Sequence, residues 1–352
     1  MFRMDGVYMQ SLFNIINMPL GWILKNIAGL MGGSFAAAVF VFTLLINIVL
    51  IPLNIKSQKS SVQQTRVKPK LDDLKKRYGD DRQKYSEAMQ KVYAEEGVSP
   101  AGGCLPMILR LVLMLSIYYL ILSPLTYMSG VEKANIQTVS TVISENMSEL
   151  KSNDKEKYEQ FKTTLNWREG TTNELSIVNI VRGEQNVLKD LLSDKEYAKI
   201  EKELEAIKAQ DKESNVNYTF ITNKINLTET PKFSIDIFNE AKPIWLMPIL
   251  AFTAQILSSL LSMAMQKKIN PDAPNMAGMM LTMPLISLFI GFSVPGGVAF
   301  YWACSSLVGG VIQVGVQNFY GPHKMLSRER AKELSKQCDF EAGQIKKLSK
   351  ED

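Results

Sequence analysis

The chain has 352 residues, 46% of them hydrophobic, with 40 Lys/Arg against 35 Asp/Glu and a net charge of +5. So small an excess of positive charge gives no support to a specific nucleic-acid partner. One histidine, His323, and three cysteines, Cys104, Cys304 and Cys338, none in CxxC spacing, leave no disulfide framework, no zinc site and no implied cofactor.

Hydropathy is segregated along the chain: nearly charge-free windows alternate with windows dense in Lys and Glu. Residues 1–33 contain an apolar stretch broken by Asn14, Asn17, Pro19 and Lys25. A thin charged n-region and no A-x-A site make it a poor signal peptide. It reads as an N-terminal interfacial amphipathic segment, with a sixth span as the competing reading. Residues 34–55 form a first span, since a bilayer core of ~30 Å takes about 20 apolar helical residues. Residues 56–103 read as a cytoplasmic helical hairpin, with helices over 56–78 and 82–96, a turn at Gly79, Asp80 and Asp81, and Asp81 as N-cap of the second helix. Residues 104–127 are the second span.

Residues 128–241 carry 15 Lys/Arg against 20 Asp/Glu and read as an inserted extracytoplasmic α+β domain. A helix is expected over 184–210 and strands over 175–181 and 216–225. Residues 242–266 are the third span and 267–276 a cytoplasmic loop. The fourth and fifth spans, 277–294 and 297–317, are split by Pro295, Gly296 and Gly297, which make a tight turn. A re-entrant pair here would reduce the count to four. The tail, 318–352, has eight Lys/Arg against six acidic residues, a weak signature for ribosome contact. The hairpin, the 267–276 loop and the tail are basic on balance, and the positive-inside rule puts all three in the cytosol. The consistent solution is an all-α polytopic membrane protein with five spans, N-terminus outside and C-terminus cytoplasmic.

Polar residues within the spans fall into stripes. Thr43 and Asn47 lie one turn apart in the first span. Gln255, Ser259 and Ser262 are spaced 4 and 3 in the third, and Trp302, Ser306 and Gln313 share one face of the fifth. Taken singly, such residues join helices, at ~0.6–2 kcal/mol each. Taken together they outline a shared hydrophilic groove. The second span adds Arg110, a charge costing at least ~2.5–3.5 kcal/mol in hydrocarbon. At 1.5 Å per residue it lies roughly 10 Å in from the cytosolic side, level with Asn47 at roughly 10–14 Å. It has two readings, a charge in a wet pocket or a side chain snorkelling to the headgroups. No Ser/His/Asp grouping, HExxH or phosphate-binding loop is present, so the chain is not read as an enzyme. A channel or transporter for an anionic solute is the alternative function, and the lack of an inverted repeat counts against it.

The stretches LLINIVLIPLNIK (44–56), KPKLDDLKKRYGDD (68–81), SPAGGCLPMIL (99–109), FITNKINLTETP (220–231), MPILAFTAQ (247–255), MPLISLFIG (283–291) and VPGGVAFYWACSSLVGGVIQ (294–313) resemble, in order and spacing, the YidC membrane protein insertase family, with its mitochondrial oxidase-assembly and thylakoid Albino relatives. The resemblance implies a five-helix core around a groove open to the cytosol and to lipid. A groove arginine draws the polar segment of a nascent membrane protein inward, and the substrate leaves into lipid along the third and fifth spans without ATP. It implies nascent membrane proteins and the bilayer as partners, with the ribosome and the Sec translocase as further ones. A monomer suffices.

Two departures from the family pattern stand out. The family's arginine lies five residues before the proline of the first span, which is Asn47 here, counting from Pro52. Where the family has glutamine in the second span, this chain has Arg110, so the charge is expected to have moved to the facing helix at equal depth. In addition, roughly residues 130–217 are an insertion between spans two and three.

Overall fold

The computed structural model describes residues 6–79, 81–98, 104–168, 173–221, 224–234, 241–269 and 277–321, then 324, 327, 331 and 334–342. The chain divides into two compact units. The first comprises Met1–Ile46, Val112–Ser259 and Met276–Val308, and the second Asn47–Leu111, Leu260–Asn275 and Gly309–Asp352.

In the first unit, α1 (Gly6–Leu30) is a 25-residue helix. Asn14 and Asn17, which suggested a water-facing side, point inward instead. Asn17 is fully buried, and Asn14 accepts a hydrogen bond from the Tyr127 hydroxyl at 2.6 Å. The outward residues Ile15, Met18, Trp22 and Leu30 are apolar. Gly21 permits the contact, since a Cβ there would stand 2.5 Å from the Tyr127 carbonyl oxygen. Helix α2 (Phe35–Val49) buries Phe35, Ala36, Val39 and Phe42 and exposes Phe40, Leu44, Leu45 and Ile48. An exposed apolar face of that kind fits lipid rather than water.

In the second unit, α3 (Ile51–Tyr78) starts just after Leu50, with Pro52 in its first turn, where a missing N–H costs nothing. It packs against α4 (Arg82–Glu95). Asp81 caps α4 by accepting the Lys84 N–H at 3.1 Å, and Lys70 pairs with Glu96 across the hairpin. Helix α5 (Cys104–Leu122) follows and passes into the first unit at Val112; it ends before Pro124, where a π-helical turn, Leu125–Ser129, closes on left-handed Gly130.

Among its described residues segment 133–214 contains helices joined by short turns and no strand, and the strands within 128–241 are confined to 219–226. The segment forms α6 (Lys133–Asn153), α7 (Lys155–Thr164), α8 (Glu174–Asn179), a π-helical turn (Ile180–Glu184), α9 (Gln185–Leu191) and α10 (Asp194–Ser214). The strand expected over 175–181 is α8 and the turn after it. Glu174, Leu175, Ser176, Ile177 and Val178 are all buried, and a continuous buried run carries no periodicity to separate helix from strand. The helix expected over 184–210 is two helices, broken where Ser193 and Glu196 form a capping box. Helices α6 and α10 pack through Ile136, Val139, Ile143 and Met147 against Ile200, Leu204 and Ile207, each series at helical spacing.

The strand expected over 216–225 is a hairpin, β1 (Thr219–Phe220) with β2 (Ile225–Asn226), antiparallel, with Thr219 opposite Asn226. Its carbonyls finish another element. The first N–H groups of a helix lack partners within it. In α13 (Gly296–Tyr320) two of these are supplied by Glu229 O to Gly296 N at 2.7 Å and Leu227 O to Gly297 N at 2.8 Å. A Cβ on Gly296 would meet Ile244 Cδ1, which gives the Pro-Gly-Gly turn a packing reason.

Helix α11 (Leu246–Ile269) continues from a 3-10 turn, Pro243–Trp245, and α12 is Ala277–Gly291. Each predicted span therefore contains helix. Among the described residues two are long and apolar enough to cross a membrane, Pro243–Met265 and Gly296–Tyr320, with a third if Phe35–Val49 and Ile51–Ser60 count as one broken span. Leu111–Leu122 and Leu281–Gly291 are shorter apolar helices.

Candidate functional site

Thr43 and Asn47 lie on the buried side of α2, with Ala36, Val39 and Phe42, while Phe40, Leu44, Leu45 and Ile48 face out. The Thr43 hydroxyl donates to Val39 O at 2.7 Å, so part of its polarity is absorbed by its own helix. An outer face that is apolar, with Thr43 and Asn47 turned inward, is the reverse of a helix on a soluble protein and suits a bilayer.

Helix α11 repeats that inversion in a more open form. Leu246, Ile249, Leu257 and Leu260 make one exposed apolar face. At 100° per residue, Gln255, Ser259 and Ser262 lie on the opposite side, next to buried Met247 and Ala251. They are nevertheless only half-buried. On α13, Leu307 and Val311 face out, while Trp302, Ser306 and Gln313 lie roughly opposite, again half-buried. The Trp302 indole N–H is itself buried and finds no acceptor among the described residues.

Arg110 is part of α5, but its side chain lies outside the described residues, and with it the choice between pocket and headgroup. Of the nine predicted site residues, Thr43, Gln255, Ser259, Trp302 and Ser306 belong to the first unit. Asn47, Arg110, Ser262 and Gln313 belong to the second.

Charged groups that sequence reading did not single out are built into the first unit. Arg182 grips Asp211 through two hydrogen bonds, Nε to Oδ2 at 2.6 Å and Nη2 to Oδ1 at 2.8 Å, and its guanidinium lies 4.7 Å from the centre of the Tyr218 ring. Desolvation lowers the Arg182 pKa, but the hydrogen bond and charge of Asp211 outweigh it, leaving the pKa above its ordinary value. Asp211 was detectable in principle. It continues the apolar series Ile200, Leu204, Ile207 by one more helical step, placing a carboxylate on a buried face.

Glu174 is also buried. The Thr126 N–H donates to its Oε2 at 2.9 Å and the Thr126 hydroxyl to its Oε1 at 2.7 Å, tying α8 to the π-helical turn after α5. Burial pushes its pKa up to about 7, against the opposing pull of these hydrogen bonds. No sequence signal marks it, because the partners are 48 residues apart.

The sequence profile of the family described as 60Kd inner membrane protein matches residues 26–166 and 216–323. The gap, 167–215, falls within the insertion expected over 130–217, while 130–166 is covered by the family profile. Among similar proteins, the membrane protein insertase YidC of Ectopseudomonas mendocina (strain ymp) is 38% identical over 104 residues, 30% of this chain and 18% of that protein. That of Stutzerimonas stutzeri (strain A1501) is 37% identical over 107 residues, 30% of this chain and 19% of that protein. That of Pseudomonas entomophila (strain L48) is 39% identical over 107 residues, with the same coverage. The matched stretch thus spans 18–19% of these relatives' length. With a family profile matched on both sides of one internal gap, over more than half of its length, the chain belongs to the 60Kd inner membrane protein family, that of the YidC insertases.

Proposed function

We propose that this chain is a membrane protein insertase and chaperone of a bacterial cell membrane. It takes hydrophobic nascent proteins from the cytosol, draws their polar segment into a hydrophilic groove and releases the span into lipid, without ATP. The observation that carries this reading is the inverted amphipathicity of α11 and α13, whose half-open polar stripes lie opposite apolar outer faces in a chain of this family. Ion pairing and hydrogen bonding to an incoming polar segment offset its desolvation, so a groove of this kind shortens the hydrocarbon path.

In this reading the five predicted spans form the core, with the N-terminus outside and the tail and α3–α4 hairpin in the cytosol, where ribosome and Sec translocase would be met. Arg110 supplies the groove's charge from α5, and Asn47 on α2 is the amide at equal depth. The test is insertion of a small single-span protein into liposomes holding only this chain and no nucleotide. Arg110→Gln is expected to lower insertion about tenfold, the effect of roughly 1.4 kcal/mol of lost stabilisation, and adding Asn47→Arg to restore most of it. Normal insertion by Arg110→Gln alone would sink the transferred-charge idea. Anion flux without insertion would instead favour the transporter.

A further inference from the structure

A cavity of about 1150 Å³ lies in the first unit, away from the polar stripes. Its walls are the end of α7, the π-helical turn after α8, the β1–β2 hairpin, residues 228–230 and 232–234, and the entry to α11 at Lys242, Ile244 and Trp245. It exceeds the ~300–1,000 Å³ usual for a small-molecule cleft, so a stretch of chain fits it better than a single ion.

The lining is polar and held in place by its own hydrogen bonds. Asn166 Nδ2 donates to Thr228 O at 3.1 Å, and the Thr228 hydroxyl to Asn179 Oδ1 at 2.8 Å. Arg168 reaches Thr230, and Lys232 Nζ donates to the Thr163 hydroxyl at 3.1 Å. Side-chain amides and hydroxyls at fixed positions suit a peptide backbone, which presents a donor and an acceptor at each residue. The charged lining residues are Arg182, Lys232, Lys242 and Glu229. Asp211 balances Arg182, which leaves two lysines against one carboxylate. Burial raises the Glu229 pKa, and burial with the nearby Lys162 lowers that of Lys232. The buried Tyr218 also lines the cavity. Its hydroxyl has no hydrogen-bond partner among the described residues, and burial holds it protonated as a donor.

Two placements give these residues a purpose. Ile244 and Trp245 line the cavity at the entry to α11, and the polar stripe of that helix begins at Gln255, roughly 15 Å further along. Asn179 and Arg182 come from 167–215, the stretch the family profile leaves unmatched, while the facing hairpin lies within the match. This wall is therefore an addition beyond the family profile.

We propose that this cavity is a receiving site for the translocated end of an insertion substrate, an extended acidic peptide segment held by the Asn and Thr lining and by Lys232 and Lys242. The proposal rests on the insertase reading and on the inserted segment lying outside the cell.

Two measurements on the full chain in nanodiscs test it. The first is fluorescence anisotropy with a labelled Gly-Ser-Asp peptide and a Gly-Ser-Lys control. The Asp peptide is expected to bind, to be weakened by salt, and to bind about tenfold less tightly to the Lys232→Gln/Lys242→Gln variant. Both lysines are exposed, so this variant is expected to fold. Equal binding of the two peptides, no effect of the double variant, or binding of phosphatidylglycerol vesicles alone would overturn the proposal. The second places a photo-crosslinker at Thr164 in the cavity, or at Glu149 on the exposed side of α6, during insertion of a single-span protein with an acidic tail. Crosslinks from Thr164 only are expected, and a chain that inserts substrate without them counts against the site. A chain that fails to insert at all refutes the insertase reading, and peptide binding then decides the cavity by itself.

Discussion

Glu174 shows how far a single residue's behaviour depends on its surroundings. In the sequence it is one of 20 acidic residues in a charged region. In the fold it is buried against the N–H and hydroxyl of Thr126, with no cation among its hydrogen-bond partners in the described residues. Its pKa rises from 4.5 to about 7, which corresponds to roughly 3 kcal/mol. Because the folded state holds its proton more tightly, it binds more protons than the unfolded state between those two values. Stability therefore falls as pH rises through that window and is lowest above it. Glu174→Gln keeps an acceptor for the Thr126 N–H and can donate to its hydroxyl without ionising. Thermal unfolding in detergent is expected to show Glu174→Gln more stable than the parent at pH 8, with a flatter profile between pH 5 and 7. A parent profile already flat in that window would refute the assignment.

At the scale of elements, the close docking of α1 offers a paired comparison. Gly21 and Gly29 both lie inside α1, where alanine favours helix over glycine by ~1 kcal/mol. A Cβ at Gly29 meets nothing within 4 Å, whereas one at Gly21 meets the Tyr127 backbone. Gly29→Ala is therefore expected to be neutral or stabilising. Gly21→Ala should destabilise by about 1–3 kcal/mol, since it forces a whole helix away from the π-helical turn. Equal melting temperatures for the two variants would mean that α1 docks less tightly than the geometry implies. The α3–α4 hairpin was legible beforehand, because Gly79, Asp80 and Asp81 are local turn signals and Asp81 caps through a neighbour three residues on. Helix α8 and the β1–β2 hairpin were not. Each is fixed by partners far along the chain, Thr126 for α8 and the Gly296–Gly297 helix start for the hairpin's exit.

For the whole molecule, the strongest expectation is topological, and cysteine chemistry tests it. Cys338 is exposed and Cys304 buried. In intact cells a membrane-impermeant maleimide is expected to leave Cys338 unlabelled until the membrane is opened. A cysteine introduced at exposed Lys202 on α10 should be labelled at once. The reverse pattern would invert the positive-inside assignment and move the proposed receiving cavity into the cytosol.

The amino-acid sequence by itself determined where the apolar helices fall, which of their faces carry polar groups, where the α3–α4 hairpin turns, and which family the chain resembles. These are local or periodic properties, written in hydropathy at a 3.6-residue repeat and in turn residues that act on near neighbours. Only the tertiary structure decided that residues 175–181 are helical and not a strand, that Asn14 and Asn17 point inward, that burial raises the Glu174 pKa, and that a polar cavity opens where Asn166, Asn179 and Thr228 meet. Each of these depends on desolvation and hydrogen bonding between residues far apart in the chain, for which a single sequence carries no spacing signal.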